Sequence, residues 1–209
     1  MFQAADDVGN PQPRREDFLQ YFCPLTLDLN TAHRRLQLSE GGRKITYVNE
    51  IQPDLNHDNP ERFDHKVQVL CSERLLERHY WEVKWKGDRV CVAVSYEDIG
   101  KKGEGDDCRL GSNNKSWSLR LSNPKHSVWH SGNDIKICAL NYSIIGVYLD
   151  HGAGTLSFYS VSDTMTPLYT VKTEFTKPLC PAFGFSSYRS SVKLCDLNDA
   201  ASEGKISCN

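Results

Sequence analysis

The stretch YLDHGAGTLSFYSV, residues 148 to 161, sets an acid and a histidine beside two glycines. Asp150 and His151 are the residue types of a hydrolytic triad. Gly152 and Gly154 are the material of a phosphate-gripping loop, and Asp150 to Gly154 together also make a turn. A phosphate loop needs glycines that lead into a helix whose first N–H groups face the anion. Here they lead into the strand-like run TLSFYSV, and neither G-x-x-x-x-G-K nor G-x-G-x-x-G is completed. A hydrolytic pair needs a nucleophile at hydrogen-bond distance, whereas adjacent strand residues point to opposite faces. The expectation is therefore a hairpin connection in which glycine relieves the backbone.

Other reactive residue types are dispersed. The seven histidines (His33, His57, His65, His79, His126, His130, His151) show no H-E-x-x-H or similar ligand spacing, so structural or surface roles are expected, with no metal and no cofactor. The eight cysteines (Cys23, Cys71, Cys91, Cys108, Cys138, Cys180, Cys195, Cys208) include no C-x-x-C pair. Those inside apolar runs such as VCVAV and IKICAL read as buried free thiols, because a chain this long does not need disulfide staples. Two N-x-S triplets, at Asn114 and Asn141, would matter only in a secreted protein.

The elements that must position these residues are mostly strands. In HYWEVKW, Trp81, Val83 and Trp85 alternate with Glu82 and Lys84, the period of a strand with one buried face. RVCVAVS follows after Gly87-Asp88, which reads as a hairpin into a central strand that is apolar on both faces. IIGVYLD and TLSFYSV repeat the arrangement, LCPAFGF and SVKLC supply late strands, and only REDFLQYF has helical spacing, through Phe18, Leu19 and Phe22. Short strands, frequent turns and scarce helix predict an all-β antiparallel sandwich.

The chain has 209 residues, 39% of them hydrophobic, and a formal charge of −2, which fits one domain and argues against disorder or a general nucleic-acid surface. Residues 1–15 read as a linker and residues 199–209 as a loose tail. The polar start is unlike a signal peptide and no apolar run is long enough to span a membrane, so a soluble, cytoplasmic chain is expected. Trp81, Trp85 and Trp117 are expected in the core, whereas Trp129, beside His126 and His130, fits either the interior or a pocket rim. EGGRK and IGKKGEGDD read as solvated loops.

Together the segments form a pattern. LTLDLNTAHRRLQLSEGGRKI resembles a PRY segment. RF at Arg62-Phe63, QVL, RHYWEVKW, LGSNNKSWSL, GVYLDHGAGTLSFYSV and FTKPLCPAFGF resemble the SPRY segments that follow, in the family's order, over about residues 17 to 197. The resemblance to the PRY-SPRY family implies a bent antiparallel sandwich of jelly-roll topology, with PRY over about 16–70 and SPRY over about 71–198. It implies a protein-binding module without catalytic residues. The chain looks most like the C-terminal domains of fish-type tripartite-motif ubiquitin ligases of innate, antiviral immunity, in which an upstream RING supplies the ligase activity and a coiled coil makes homo-oligomers. The same domain type also ends nucleotide-binding immune receptors and fish pore-forming toxins, where it would have a structural or assembly role.

In this family, variable loops near the PRY-SPRY junction bind the target protein. By resemblance these are Val48 to Pro60, Tyr96 to Asp107, Leu121 to Lys125 and Ser186 to Ser190. Within or beside them Asp54, His57, Asp58, Tyr96, Lys101, Arg120, Lys125, Tyr188 and Arg189 are the expected contacts, since aromatic and arginine side chains anchor and charges select. Relatives that bind antibody Fc carry tryptophans at the positions of Arg120 and Ser122, so antibody binding is not carried over. Leu29 replaces a usual proline, and Cys91 and Ala93 keep their strand small and apolar.

Overall fold

The computed structural model describes residues 13–53, 55, 58–138, 142–162 and 165–197; Asp54, His57, Cys208, most of the expected linker and the tail from residue 199 lie outside the described residues. One short helix, α1 (Arg15–Leu19), precedes thirteen strands among the described residues: β1 (Leu36–Ser39), β2 (Lys44–Tyr47), β3 (Gln68–Leu70), β4 (Arg78–Lys86), β5 (Val90–Ser95), β6 (Ser116–Leu121), β7 (Lys125–His130), β8 (Asn133–Cys138), β9 (Ile144–Asp150), β10 (Thr155–Val161), β11 (Met165–Lys172), β12 (Cys180–Phe185) and β13 (Ser191–Leu194). They make two antiparallel sheets, one in the order β1-β2-β13-β4-β9-β10-β11 and the other β3-β12-β5-β6-β7-β8. The all-β sandwich expected from the strand pattern is what the chain forms.

The main core lies between the sheets. Trp81, Val83, Val147, Phe158 and Val192 from one side meet Val92, Leu119 and Phe183 from the other. Strand β5 is buried at every position, as its uninterrupted apolar run requires, and lies between β12 and β6. A second cluster, including Phe63, Leu70, Cys91, Ala93, Ile99 and Leu110, covers part of the outer face of the second sheet. Cys71, Cys91, Cys108 and Cys180 are buried free thiols, and burial pushes Cys180 up to about 11; Cys138 departs from the expectation and is exposed.

The turn reading of the opening motif holds in detail. Asp150 Oδ1 accepts the Ala153 N–H at 2.9 Å, its other oxygen accepts Arg78 Nε at 2.9 Å, and β9 pairs directly with β10. His151 turns away, with Nε2 bonded to the Lys177 carbonyl at 2.9 Å and its ring against Phe175. Gly154 holds φ +67° with the Thr173 carbonyl packed where a Cβ would stand, so the position excludes other residues.

Gly87-Asp88 is not the hairpin that its spacing predicts. β4 and β5 belong to different sheets, and the segment between them carries the chain across the sandwich. The apolar pattern is the same in both cases, because each strand buries its face against the same interior; only the partners differ. Trp85 pairs with Val192 on β13, and Val90 pairs with Phe185 on β12.

The outward face of β4 is also not the polar face its alternation predicts. Glu82 is 1% exposed because α1 lies over it. Arg15 grips the Glu82 carboxylate through both oxygens, at 2.6 and 3.1 Å, and the Tyr80 hydroxyl donates to Oε1 at 2.7 Å. Phe18 stacks on Tyr80 at 5.3 Å and touches Tyr148 and Tyr159, so a five-residue helix too short to be stable alone is held by tertiary contact. An Arg15→Met variant leaves that carboxylate buried and unpaired. It should lose about 3 kcal/mol in urea denaturation, and adding Glu82→Gln should restore part of the loss.

Candidate binding surface

One cross-strand row on the outer face of the second sheet makes a concavity. Gln68, Gly184, Cys91, Arg120 and Ser127 are successive register partners across β3, β12, β5, β6 and β7. Side chains on alternate positions share a face, and three neighbours in this row are glycine, cysteine and serine. Little side chain fills the space above Gly184, Cys91 and Ser127, which leaves a cavity of about 470 Å³. Its walls include Tyr47, Lys66, Arg89, Arg109 and Trp129.

Arg120 rises from this floor in a fixed pose. Its guanidinium lies 3.8 Å from the centre of the Trp129 ring and donates to the Leu110 carbonyl at 3.0 Å and to Ser112 Oγ at 3.1 Å. Burial lowers its pKa, yet an arginine in this setting stays cationic. Trp129 donates Nε1 to Ser127 Oγ at 2.7 Å, so the stacked pair is locked from both sides. Trp129 is thus at once half-buried and a cavity wall.

Three loops are tied together at the rim. Ser190 Oγ accepts the Asp88 N–H at 3.1 Å and donates to the Asp88 carbonyl at 2.7 Å, the Asn123 N–H donates to Asp88 Oδ1 at 3.0 Å, and the Ser186 N–H donates to the Arg89 carbonyl at 3.0 Å. Gly87 sits beneath this clamp at φ +100°, where a Cβ would stand 2.8 Å from Ser190 Cα. Arg89 and Arg189 hold φ of +52° and +67°, unfavourable for their side chains and maintained by the clamp. Tyr188 is 49% exposed, with its ring edge-on to Tyr47 at 6.3 Å and Arg189 over its face at 5.2 Å.

The expected contact residues do not form one surface. Arg120 lines the cavity, and Tyr188 and Arg189 stand at its rim through Tyr47 and Ser186. Lys125 is exposed at the start of β7, and Asp58 is exposed in its loop. Tyr96 is 7% exposed, packed edge-on against Trp117 at 5.4 Å, with its hydroxyl accepting the Thr176 N–H. It is a core residue and offers no aromatic anchor. Lys101 has a side chain only 9% exposed, with Nζ donating to the Glu97 and Ile99 carbonyls, and it lines a separate depression with Glu61 and Glu97. Both corrections have one cause: the chain packs down here, Tyr96 against Trp117 and the Thr176 N–H, and Lys101 onto the Glu97 and Ile99 carbonyls. Tyr47, Lys66, Arg89 and Arg109, all cavity walls, carry no sequence signal by themselves; their separation along the chain hides a convergence that strand register creates.

Two antiparallel sheets in this strand order, with a loop-rimmed cavity on the outer face of the second, mark the class; the chain belongs to the PRY-SPRY family. Residues 25–75 match the SPRY-associated domain, PRY, and residues 78–197 match the SPRY domain. Tripartite motif-containing protein 16 of Mus musculus is 35% identical over 198 residues, covering 92% of this chain and 35% of that protein. Stonustoxin subunit beta of Synanceia horrida is 40% identical over 173 residues, covering 81% of this chain and 24% of the toxin subunit. The crystal structure of the TRIM65 PSpry domain matches with a TM-score of 0.80 at 26% identity, over 91% of this chain and 99% of that one. The chain spans about a third or less of the length of these curated relatives.

Two outcomes test this geometry. Gly87→Ala should cost about 2 kcal/mol or more and speed amide exchange over residues 186–190, because the clamp must open to admit the methyl group. Burial pushes His33 down to about 4, and it lowers His126 and His130 as well. The unfolded chain takes up these protons near its ordinary histidine value, about 6.5. Their contribution to stability is therefore complete above that value and drains as the pH falls toward the folded values. The urea midpoint should fall between about pH 7 and about pH 5, and by less in His33→Gln.

Proposed function

We propose that this domain selects protein targets for a tripartite-motif E3 ubiquitin ligase acting in innate, antiviral immunity in the cytoplasm. The observation that carries the reading is the cavity on β3, β12, β5, β6 and β7: it is preformed, rimmed by loops from both PRY and SPRY segments, and centred on an arginine already held in place. A preformed anchor spares a binder the entropy of ordering it. Similarity to tripartite-motif proteins over nearly the whole chain supports the parent assignment. In such a parent a RING upstream recruits the ubiquitin-loaded enzyme and a coiled coil makes the homo-oligomer, while α1 passes the chain onto the sandwich.

The likeness to stonustoxin subunit beta favours a second reading, in which the domain ends a pore-forming toxin subunit and serves assembly. A nucleotide-binding immune receptor is the third possible parent. The reading frame around this chain separates the three: RING and coiled coil, nucleotide-binding module, or pore-forming module.

The surface itself is tested by pairing changes at its floor and rim. Arg120→Ala with Tyr188→Ala in the full-length protein should reduce target capture more than tenfold, about 1.4 kcal/mol or more, while the unfolding midpoint of the domain changes little. Undiminished capture by a folded double variant removes this surface from the function.

A further inference from the structure

Charge is segregated in a chain whose total is only −2. Beside the cavity that holds Arg120 lies another, of about 310 Å³, which shares Tyr47, His65 and Val67 with it. Apart from Arg62, whose guanidinium is tied to the Leu29 and Ala32 carbonyls, six permanent cations line the pair: Arg34, Arg35, Lys66, Arg89, Arg109 and Arg120. Asp64 is the one carboxylate among the described lining residues, and it is engaged with the Gly103 N–H and with His65. Among the described residues, Arg34, Arg35, Lys66, Arg109 and Arg120 form no ion pair, and Arg89 has only a 3.7 Å approach to Asp88. Like charges gathered this way repel one another. His33 is lowered by burial first and then by Arg35 and Arg34, and Arg120 by burial with a further push from Arg109.

We infer that this basic groove binds an extended acidic segment of the partner protein, a short run rich in aspartate and glutamate. The inference rests on the target-recognition reading above and names the chemistry of what is recognised. Incoming carboxylates relieve the mutual repulsion of the arginines, and an exposed planar guanidinium such as that of Arg109 matches a carboxylate through paired N–H donors. The surroundings set the length of the segment. Asp88, Glu104, Asp106 and Asp134 lie outside the lining, near the groove's arginines or His65. They admit a short acidic run and repel a long polyanion that continues past it. Arg120 already covers one face of Trp129, so that face is closed to a stacking base.

The test is fluorescence anisotropy of the intact domain with two synthetic peptides, one alternating glutamate with serine and one carrying glutamine at each glutamate position. The glutamate peptide should bind, the glutamine peptide should bind at least about tenfold more weakly, and raising salt from about 0.05 to about 0.3 M should weaken the first by about tenfold. Arg89→Glu with Arg109→Glu, both exposed positions, should abolish the preference without moving the unfolding midpoint by more than a few degrees. Equal binding of the two peptides, an unaltered preference in the charge-reversed domain, or tighter binding of an oligoribonucleotide of equal charge overturns the inference. Target capture separates this from the broader reading. If the charge-reversed full-length protein still captures its target while the Arg120→Ala, Tyr188→Ala protein does not, the surface stands and the acidic segment falls. If both variants capture normally, the surface falls as well.

Discussion

The structure turns on one corner, where two segments of chain cross side by side from one sheet to the other. β4 leaves the first sheet and continues as β5 in the second, while β12 leaves the second and continues as β13 in the first. Antiparallel pairing on both sides of the crossing makes the two runs partners along their whole length. Gly87 permits the close approach, and Ser190 bonds both the N–H and the C=O of Asp88. A side chain in place of Gly87 would press on Ser190 and open this contact. The same contact fixes Arg89, Ser186 and Tyr188, so the corner that closes the sandwich also sets one wall of the binding cavity.

The cavity itself arises from a deficit of side chain. Gly184, Cys91 and Ser127 lie in one row with Arg120, so the sheet is low in the middle and a cation stands within the depression. Stacking on Trp129 and two hydrogen bonds hold that cation without a neutralising carboxylate. Neighbouring arginines and Lys66 come from loops distant in sequence, and together they concentrate positive potential in a chain of nearly balanced charge. A low-dielectric wall strengthens such a field locally.

Much of the scaffold was readable from residues alone. Alternation identified β4, the all-apolar run identified β5 as central, and the DHGAG segment was legible as a hairpin because its glycines lead into a strand instead of a helix. The failures share a cause. Gly87-Asp88 has hairpin spacing, but spacing cannot tell a turn within a sheet from a crossing between sheets when both strands face one core. Glu82 reads as a surface residue until α1 is placed over it. Tyr96 and Lys101 read as exposed loop residues, although Tyr96 packs against Trp117 and the Thr176 N–H, and Lys101 spends its ammonium on the Glu97 and Ile99 carbonyls. Arg120 was identifiable only through family resemblance, and Tyr47, Lys66, Arg89 and Arg109 were not identifiable at all.

The amino-acid sequence by itself determined several of the central strands, the face of β4 that meets the interior, and the family to which the chain belongs. These depend on local periodicity and on motifs whose meaning lies in neighbouring residues. Tertiary structure alone decided which strands pair, where the chain changes sheets, and which side chains meet in the groove. Those outcomes depend on contacts between residues far apart in the chain, such as Asp88 with Ser190 and Gly184 with Cys91 and Arg120 in one row, and no local pattern encodes the register that brings them together.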